Sequence, residues 1–398
     1  MRPDIENLIS KEEALKRIHE AWNPTVQTER VRLADAAGRV LAEDQFAQYN
    51  LPVVRASAMD GIAVRSANFA EGMPDTSSWE PGKDYIRADT GDDFDDRFDA
   101  VIAIENVTFL PDGGLQLSPD TKVTKGSNVK PCGADVKKGT LLAQAGKRLT
   151  ALDLAAIGMG GADCVTVRKK PVVAFVPTGS ELVPAGAQLH RGQNFDTNSL
   201  LVRQLLLEFG TEPLMHEIVP DSPAQIEAAF NEVLPQADIV LLNAGTSKGQ
   251  EDYTYRLLEA RGNALFHGVA AVPGRPMSAA VIDGKPVINL SGPTFAAFNS
   301  MDWAVRNLVS HFLGTAPTKR GTIPAVLTEP LRMPPFLSLT ASLHLEKQAD
   351  GTYTATPIAL RGPRAAGTAA ALTANSVYVS TLGEKTHAAG DTILVELL

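Results

Sequence analysis

Between Pro171 and about residue 317, short unbroken apolar runs alternate with amphipathic stretches, and this order constrains the chain more than any other feature. "PVVAFVPT", "PLMHEIV" and "ADIVLLN" leave no face for water, so each is expected as a buried strand. Between them, "NSLLVRQLLLEFG" reads as a helix stopped by Gly210, and "DSPAQIEAAFNEVL" as a helix with Ser222 as cap and Pro223 at its first position. "DYTYRLLEARG" and the long "PTFAAFNSMDWAVRNLVSHFLG" are further helices. Strands that alternate with helices imply a mostly parallel sheet covered on both faces, a three-layer α/β/α domain. Ligands of such sheets bind beyond the carboxyl ends of the strands, so the loops to inspect are fixed before any chemistry is considered.

The 398 residues exceed what one core organises, and the text changes character on either side of this stretch. Ser10 and Glu13 have capping-box spacing, and Ala14, Leu15, Ile18 and Trp22 fall at helical intervals, which predicts a helix over 11–22. "TERVRLADAAGRVLAED" reads as a strand, a turn and a short element. From 46 to 139, β-like runs such as "AVIAIENV" and "GLQLS" alternate with turns, as in a small β-rich domain. Beyond 317, "AVLTEPLRM", "SLTASLHLEK", "TYTATPIAL", "SVYVST" and "DTILVELL" predict a C-terminal β-barrel or small sandwich. The expected division is 1–45 with 140–170 as a discontinuous linker domain, then 46–139, 171–317 and 318–398.

Several function classes are disfavoured. A net charge of −9 does not suit a nucleic-acid backbone as ligand. Cys132 and Cys164 are too few for a disulfide framework, and with a charged N-terminus lacking an apolar core they lead to the expectation of a cytoplasmic protein. No apolar run approaches the roughly 18 residues of a membrane span. His19, His190, His216 and His267 lack zinc-site spacing. In "LTALDLAAIGMGGADCVTVRKKP" the glycines close a helix instead of opening one after a strand, so a dinucleotide fingerprint is absent.

Three loops carry candidate chemistry. "PTGSEL" offers Thr178, Gly179 and Ser180 as hydroxyls and exposed amides, with Glu181 as a carboxylate. "NAGTSKG" presents Gly245, Thr246, Ser247 and Gly249 with Lys248, followed by Asp252 at or near a helix N-cap. Small residues let N–H groups close around an oxyanion, and a helix N-terminus adds its positive dipole end, so the two loops suggest a phosphate cradle. "AVPGRPMSAA" holds Arg275 between prolines, placed to grip an oxyanion. Plainer readings stand beside these: Asp252 as a cap, Glu181 and the Asp221 of "VPDSP" as turn residues, Arg275 as a solvated loop cation.

The chain resembles the molybdopterin molybdotransferases, the MoeA family that includes the gephyrin E domain. "SAMDG" (57–61), "DTG" (89–91), "PTGSEL", "NFDTNS", "VPDSP", "GTSKGQEDYT" and "VPGRP" occur in the family's order over nearly the whole length. The resemblance implies Mg²⁺-dependent cleavage of adenylylated molybdopterin with insertion of molybdate and release of AMP. It also implies an elongated homodimer whose linker domain serves dimerisation and whose active site is composite. In that setting Asp60 and Thr90 would be supplied by the partner subunit, with Glu181, Asp221 and Asp252 on the α/β side. Asp252 and Asp221 would stand nearest the metal, Gly245 and Ser247 would cradle phosphate, and Arg275 would hold an oxyanion.

The chain departs from the family pattern at Arg55 before "SAMDG", at Ala244, at Val272 where a lysine is usual, and at "NLSGPT" (289–294) in place of "GLPGNP". Alanines also precede Asn375 where serines are usual. The functional expectation is therefore a molybdotransferase; the alternative is a molybdopterin- or nucleotide-binding homologue acting as scaffold, chaperone or tungstate-selective variant.

Overall fold

The computed structural model describes residues 8–111, 114–243, 253–359 and 367–398. They form two compact units, Met1–Gln27 with Lys169–Leu398, and Thr28–Arg168.

In the first unit a six-stranded sheet has the order Glu212–Met215, Val172–Pro177, Ile239–Asn243, Lys285–Asn289, Ser278–Ile282, Asn263–His267. The first four strands are mutually parallel, and Ser278–Ile282 runs against its two neighbours. Successive side chains of a strand face opposite sides. Ala174, Val176, Val240 and Leu242 therefore enter a core with Ile226, Phe230 and Val233 of the Pro223–Val233 helix and Leu257 and Leu258 of Tyr253–Arg261. Their alternates Val173, Phe175, Ile239 and Leu241 are equally buried, so the unbroken apolar runs are accounted for by a sheet covered twice. The mostly parallel three-layer architecture predicted from the sequence is the one observed.

Punctuation follows the sequence with some exceptions. The Asn198–Phe209 helix ends on Gly210 in the left-handed conformation that glycine adopts without penalty. The next strand stops at Met215, short of the expected "PLMHEIV". The long final helix runs from Thr294 to Phe312 with a π-helical turn over Met301–Val305. At the N-terminus the Lys11–Ala21 helix is capped by Ser10, whose hydroxyl accepts the Glu13 N–H at 3.1 Å. The return half of the predicted capping box is missing because the Glu13 carboxylate is taken by Arg17 one turn on, at 2.7 Å.

Residues beyond 317 form a closed five-stranded barrel. Ser338–Lys347 pairs with Tyr353–Pro357, which is followed by Thr322–Leu327, Thr392–Leu397 and Ser376–Val379, and the last returns to Ser338–Lys347. A short strand of the α/β domain, Ala271–Val272, adds to it beside Ser338 and Leu339. A short helix, Thr368–Leu372, interrupts the all-strand text.

In the second unit Thr28–Arg32 pairs antiparallel with Cys164–Arg168, so the unit's two ends lie side by side. A three-stranded antiparallel sheet has Gly61–Val64 between Tyr85–Ala88 and Ala100–Ala103. Ile62 and Val64 face one cluster with Trp79, Tyr85 and Ile102, while Ala63 faces a second with Phe94, Phe98 and Val101. The expected "AVIAIENV" strand stops at Ala103, where a 3-10 turn over Ile104–Asn106 breaks it.

Candidate active site

In the first unit the strand ends are tied together by side chains. Asn243 closes the Ile239–Asn243 strand and is 3 % exposed. Its carbonyl accepts the Thr178 N–H at 3.2 Å and hydroxyl at 3.0 Å. Its side-chain oxygen accepts from Asn198 Nδ2 at 2.7 Å, and its Nδ2 donates to the carbonyls of Leu290 (3.4 Å) and Ser291 (3.2 Å). Asn198 Nδ2 also donates to the Gly292 carbonyl at 2.7 Å. The "NLSGPT" loop, whose sequence departs from the family pattern, thus spends three consecutive carbonyls on two buried amides. This hub was not found by sequence reasoning. The available signal was a lone amide ending a run of four apolar residues.

Of the predicted residues, Thr178 is buried and structural, whereas Ser180 and Asp221 are exposed and meet directly. The Ser180 N–H donates to Asp221 Oδ2 at 3.1 Å, and the Asp221 N–H donates to Ser180 Oγ at 2.9 Å. The Gly179 N–H donates to the Val219 carbonyl at 2.9 Å, which holds the two loops in register. A Cβ at Gly179 would stand 3.0 Å from Glu181 Oε2 and 2.8 Å from Leu182 Cγ, so the glycine makes room for the neighbouring carboxylate. Asp221 commits one oxygen to Ser180 and keeps the other exposed. Arg275 is half-buried and has no ion-pair partner among the described residues. Gly245, Thr246, Ser247, Gly249 and Asp252, with Ala244 and Lys248, lie outside the described residues.

In the second unit Asp60 and Thr90 form a pair. Asp60 Oδ1 accepts the Thr90 N–H at 2.7 Å and hydroxyl at 2.9 Å. These bonds, with the Arg87 charge, hold the exposed carboxyl below its ordinary range. Gly61 follows because a Cβ there would come within 1.9 Å of the Ile102 carbonyl oxygen. The loop is braced further by Gly91 N–H to Ser57 O at 2.9 Å and Ser57 N–H to Asp92 O at 2.8 Å. Arg55 turns to Asp96 at 3.0 Å and lies over the Phe94 ring at 4.6 Å, so its charge is engaged within this unit. Two shallow cavities, about 390 and 330 Å³, also open in this unit, but their linings contain none of the candidate residues. No cluster of three or more His, Cys, Asp or Glu residues suited to a metal ion occurs among the described residues, and no helix among them is long and apolar enough to cross a membrane.

Fold and site define an α/β protein with paired polar strand-end loops and two further β modules. Comparison with known proteins narrows this. Residues 9–161 match the profile of the MoeA N-terminal region (domain I and II), and residues 174–311 that of a probable molybdopterin binding domain. The chain is 30% identical over 352 residues to the molybdopterin molybdenumtransferase of Haemophilus influenzae, covering 85% of this chain and 83% of the relative. It is 28% identical to the molybdopterin molybdenumtransferase of Bacillus subtilis over 98% of this chain and 94% of the relative. A molybdopterin biosynthesis MoeA protein of Pyrococcus horikoshii superposes with a TM-score of 0.79 at 26% identity, covering 98% of this chain and 99% of that one. The chain belongs to the MoeA family.

Proposed function

We propose that this transferase of molybdenum cofactor biosynthesis acts on adenylylated molybdopterin, cleaving it with Mg²⁺, inserting molybdate into the dithiolene and releasing AMP. The observation that carries the reading is the reciprocal Ser180–Asp221 pair, which holds an amide-bearing loop and a carboxylate side by side at the strand ends. Breaking a phosphoanhydride concentrates negative charge on the departing phosphate oxygens, and fixed donors aimed there lower the barrier. The Arg275 guanidinium would supply such donors; the expected Thr178, Gly179 and Ser180 amides are instead spent on Asn243, Val219 and Asp221, which leaves the Ser180 hydroxyl and the Gly245 and Ser247 loop to orient the phosphates. The available donors suit a hard cation: Asp221 keeps one carboxylate oxygen exposed, and with Asp252 it would hold Mg²⁺, which commonly takes one or two carboxylates and fills its shell with water and phosphate. Held there, Mg²⁺ would supply charge neutralisation to the phosphate groups. The protein is further read as a homodimer, with Asp60 and Thr90 delivered to the α/β domain of a second copy.

Purified protein given Mg²⁺, molybdate and adenylylated molybdopterin is expected to release AMP and yield active cofactor, and Asp252→Ala to abolish both. One observation favours a second reading, an altered-specificity binder: Val272 is apolar where a lysine is usual, and it is fixed in a strand beside the barrel. Tight binding of the adenylate without AMP release would select that reading.

A further inference from the structure

The loop that carries Arg275 has an unusual anchoring problem. Pro273 and Pro276 have no N–H, so the segment cannot be held by an ordinary backbone ladder. Its carbonyls still need donors. The Arg275 carbonyl accepts from the Val269 N–H at 2.9 Å. The Pro273 carbonyl accepts from Asn299 Nδ2 at 2.6 Å, a side chain from the final helix that is 2 % exposed. Because that carbonyl can only accept, the amide is oriented with its oxygen the other way, where it accepts the buried Thr340 hydroxyl at 2.7 Å. Thr340 lies on the barrel strand Ser338–Lys347, whose first residues flank Ala271 and Val272. Gly274 fits between: its φ is +110°, and a Cβ there would press on Ser300 Oγ at 3.3 Å and face Asn299 Nδ2 at 3.7 Å. Asn299 also stands two residues before the π-helical turn at Met301–Val305, and such turns recur at functional sites.

We infer that Asn299 is a positioning residue for Arg275, transmitting the placement of the C-terminal barrel, through Thr340, to the oxyanion-gripping loop. The inference rests on the reading that Arg275 holds an oxyanion. The guanidinium has no ion-pair partner among the described residues, so what the fold fixes is the backbone from which it extends. That backbone is pinned at two carbonyls, and the Asn299 pin reaches the barrel through side chains, beside the direct pairing of Ala271–Val272 with Ser338 and Leu339.

The test uses the full-length protein, with molybdate and AMP titrated separately by calorimetry and thermal unfolding followed in parallel. Asn299→Leu removes both hydrogen bonds at similar volume, and Asn299→Asp keeps the acceptor for Thr340 but loses the donor to Pro273. Both are expected to weaken the anion that Arg275→Ala weakens, by roughly tenfold, the cost of one lost buried hydrogen bond. Thr340→Val should weaken it less. The double variant with Arg275→Ala should be no worse than Arg275→Ala alone, because the two act in series.

Unchanged affinity in Asn299→Leu while Arg275→Ala loses binding overturns the positioning role. So do additive losses, or a lowered Tm with intact affinity. If Arg275→Ala changes neither titration, the oxyanion reading itself is wrong. Should Asn299→Leu fail to fold, Thr340→Val decides, since unchanged affinity there overturns the link to the barrel.

Discussion

The two units solve the same problem, a carboxylate presented on a loop, by different physical means. In the α/β unit, loops from separate strands are laced by buried amides: Asn243 and Asn198 collect the carbonyls of Leu290, Ser291 and Gly292, and the Asn243 carbonyl receives Thr178. In the insert the Asp60 loop is fixed by shape and by exposed contacts, with Gly61 against Ile102 and Thr90 against the carboxylate. Buried hydrogen bonds are expensive to leave unmade, so the first arrangement is rigid and fails as a group. The second fails at one steric point and tolerates polar change elsewhere.

Substitutions can break this contrast. Gly61→Ala should have the largest effect, about 4 kcal/mol or more, because a backbone carbonyl cannot move aside. Chemical denaturation of the Thr28–Arg168 segment would measure it, and a loss under about 1 kcal/mol would contradict the steric account. Asn243→Ala should cost about 2–3 kcal/mol, by stranding the Leu290 and Ser291 carbonyls and one N–H of the Asn198 amide. Amide exchange in the Ser180–Asp221 loops should speed up with it.

Lys11 tests the α/β unit with the opposite sign. Its ammonium is buried with no hydrogen-bond partner among the described residues, and burial lowers its pKa to about 8 despite the Asp302 charge. A lysine depressed in the folded state favours unfolding whenever it must be charged. Stability should therefore rise between pH 8 and 10.5, and Lys11→Met should stabilise by about 2 kcal/mol below pH 8, with the gain fading above it. A flat difference across that range would rule the account out. Smallest of all in stability is Asp60→Asn, which is expected to leave Tm unaltered while removing AMP release. An equal fall in both would make Asp60 a structural residue.

The fold was largely legible because its signals are local. Uniform apolar runs required burial on both faces, Gly210 supplied a left-handed stop, and Pro223 began its helix. Ser222, read as a cap, makes no side-chain bond to its helix, and Glu13 pairs with Arg17 instead of closing its capping box. Both lapses concern polar side chains with a choice of partners, and that choice is made by tertiary placement. The same reason hides the site's wiring. Ser180 and Asp221 stood out as separate loop residues, but their reciprocal bonds depend on strands 172–177 and 212–215 being neighbours. Asn198 and Asn243 sit inside "NFDTNS" and "NAGTSKG" with nothing there to mark their role, and Asn299 lies in no motif, since a buried amide is defined by the carbonyls that surround it.

The antiparallel pairing of Thr28–Arg32 with Cys164–Arg168 has a consequence in time as well as in space. All of the insert precedes the α/β sheet in the sequence, and its own closing strand is synthesised before Val172 emerges. On a ribosome the nested unit can complete itself first. Its sealed ends then deliver Gln27 to Lys169, whose N–H meets the Gln27 carbonyl at 2.8 Å, so the waiting N-terminal helix rejoins its domain without a long search.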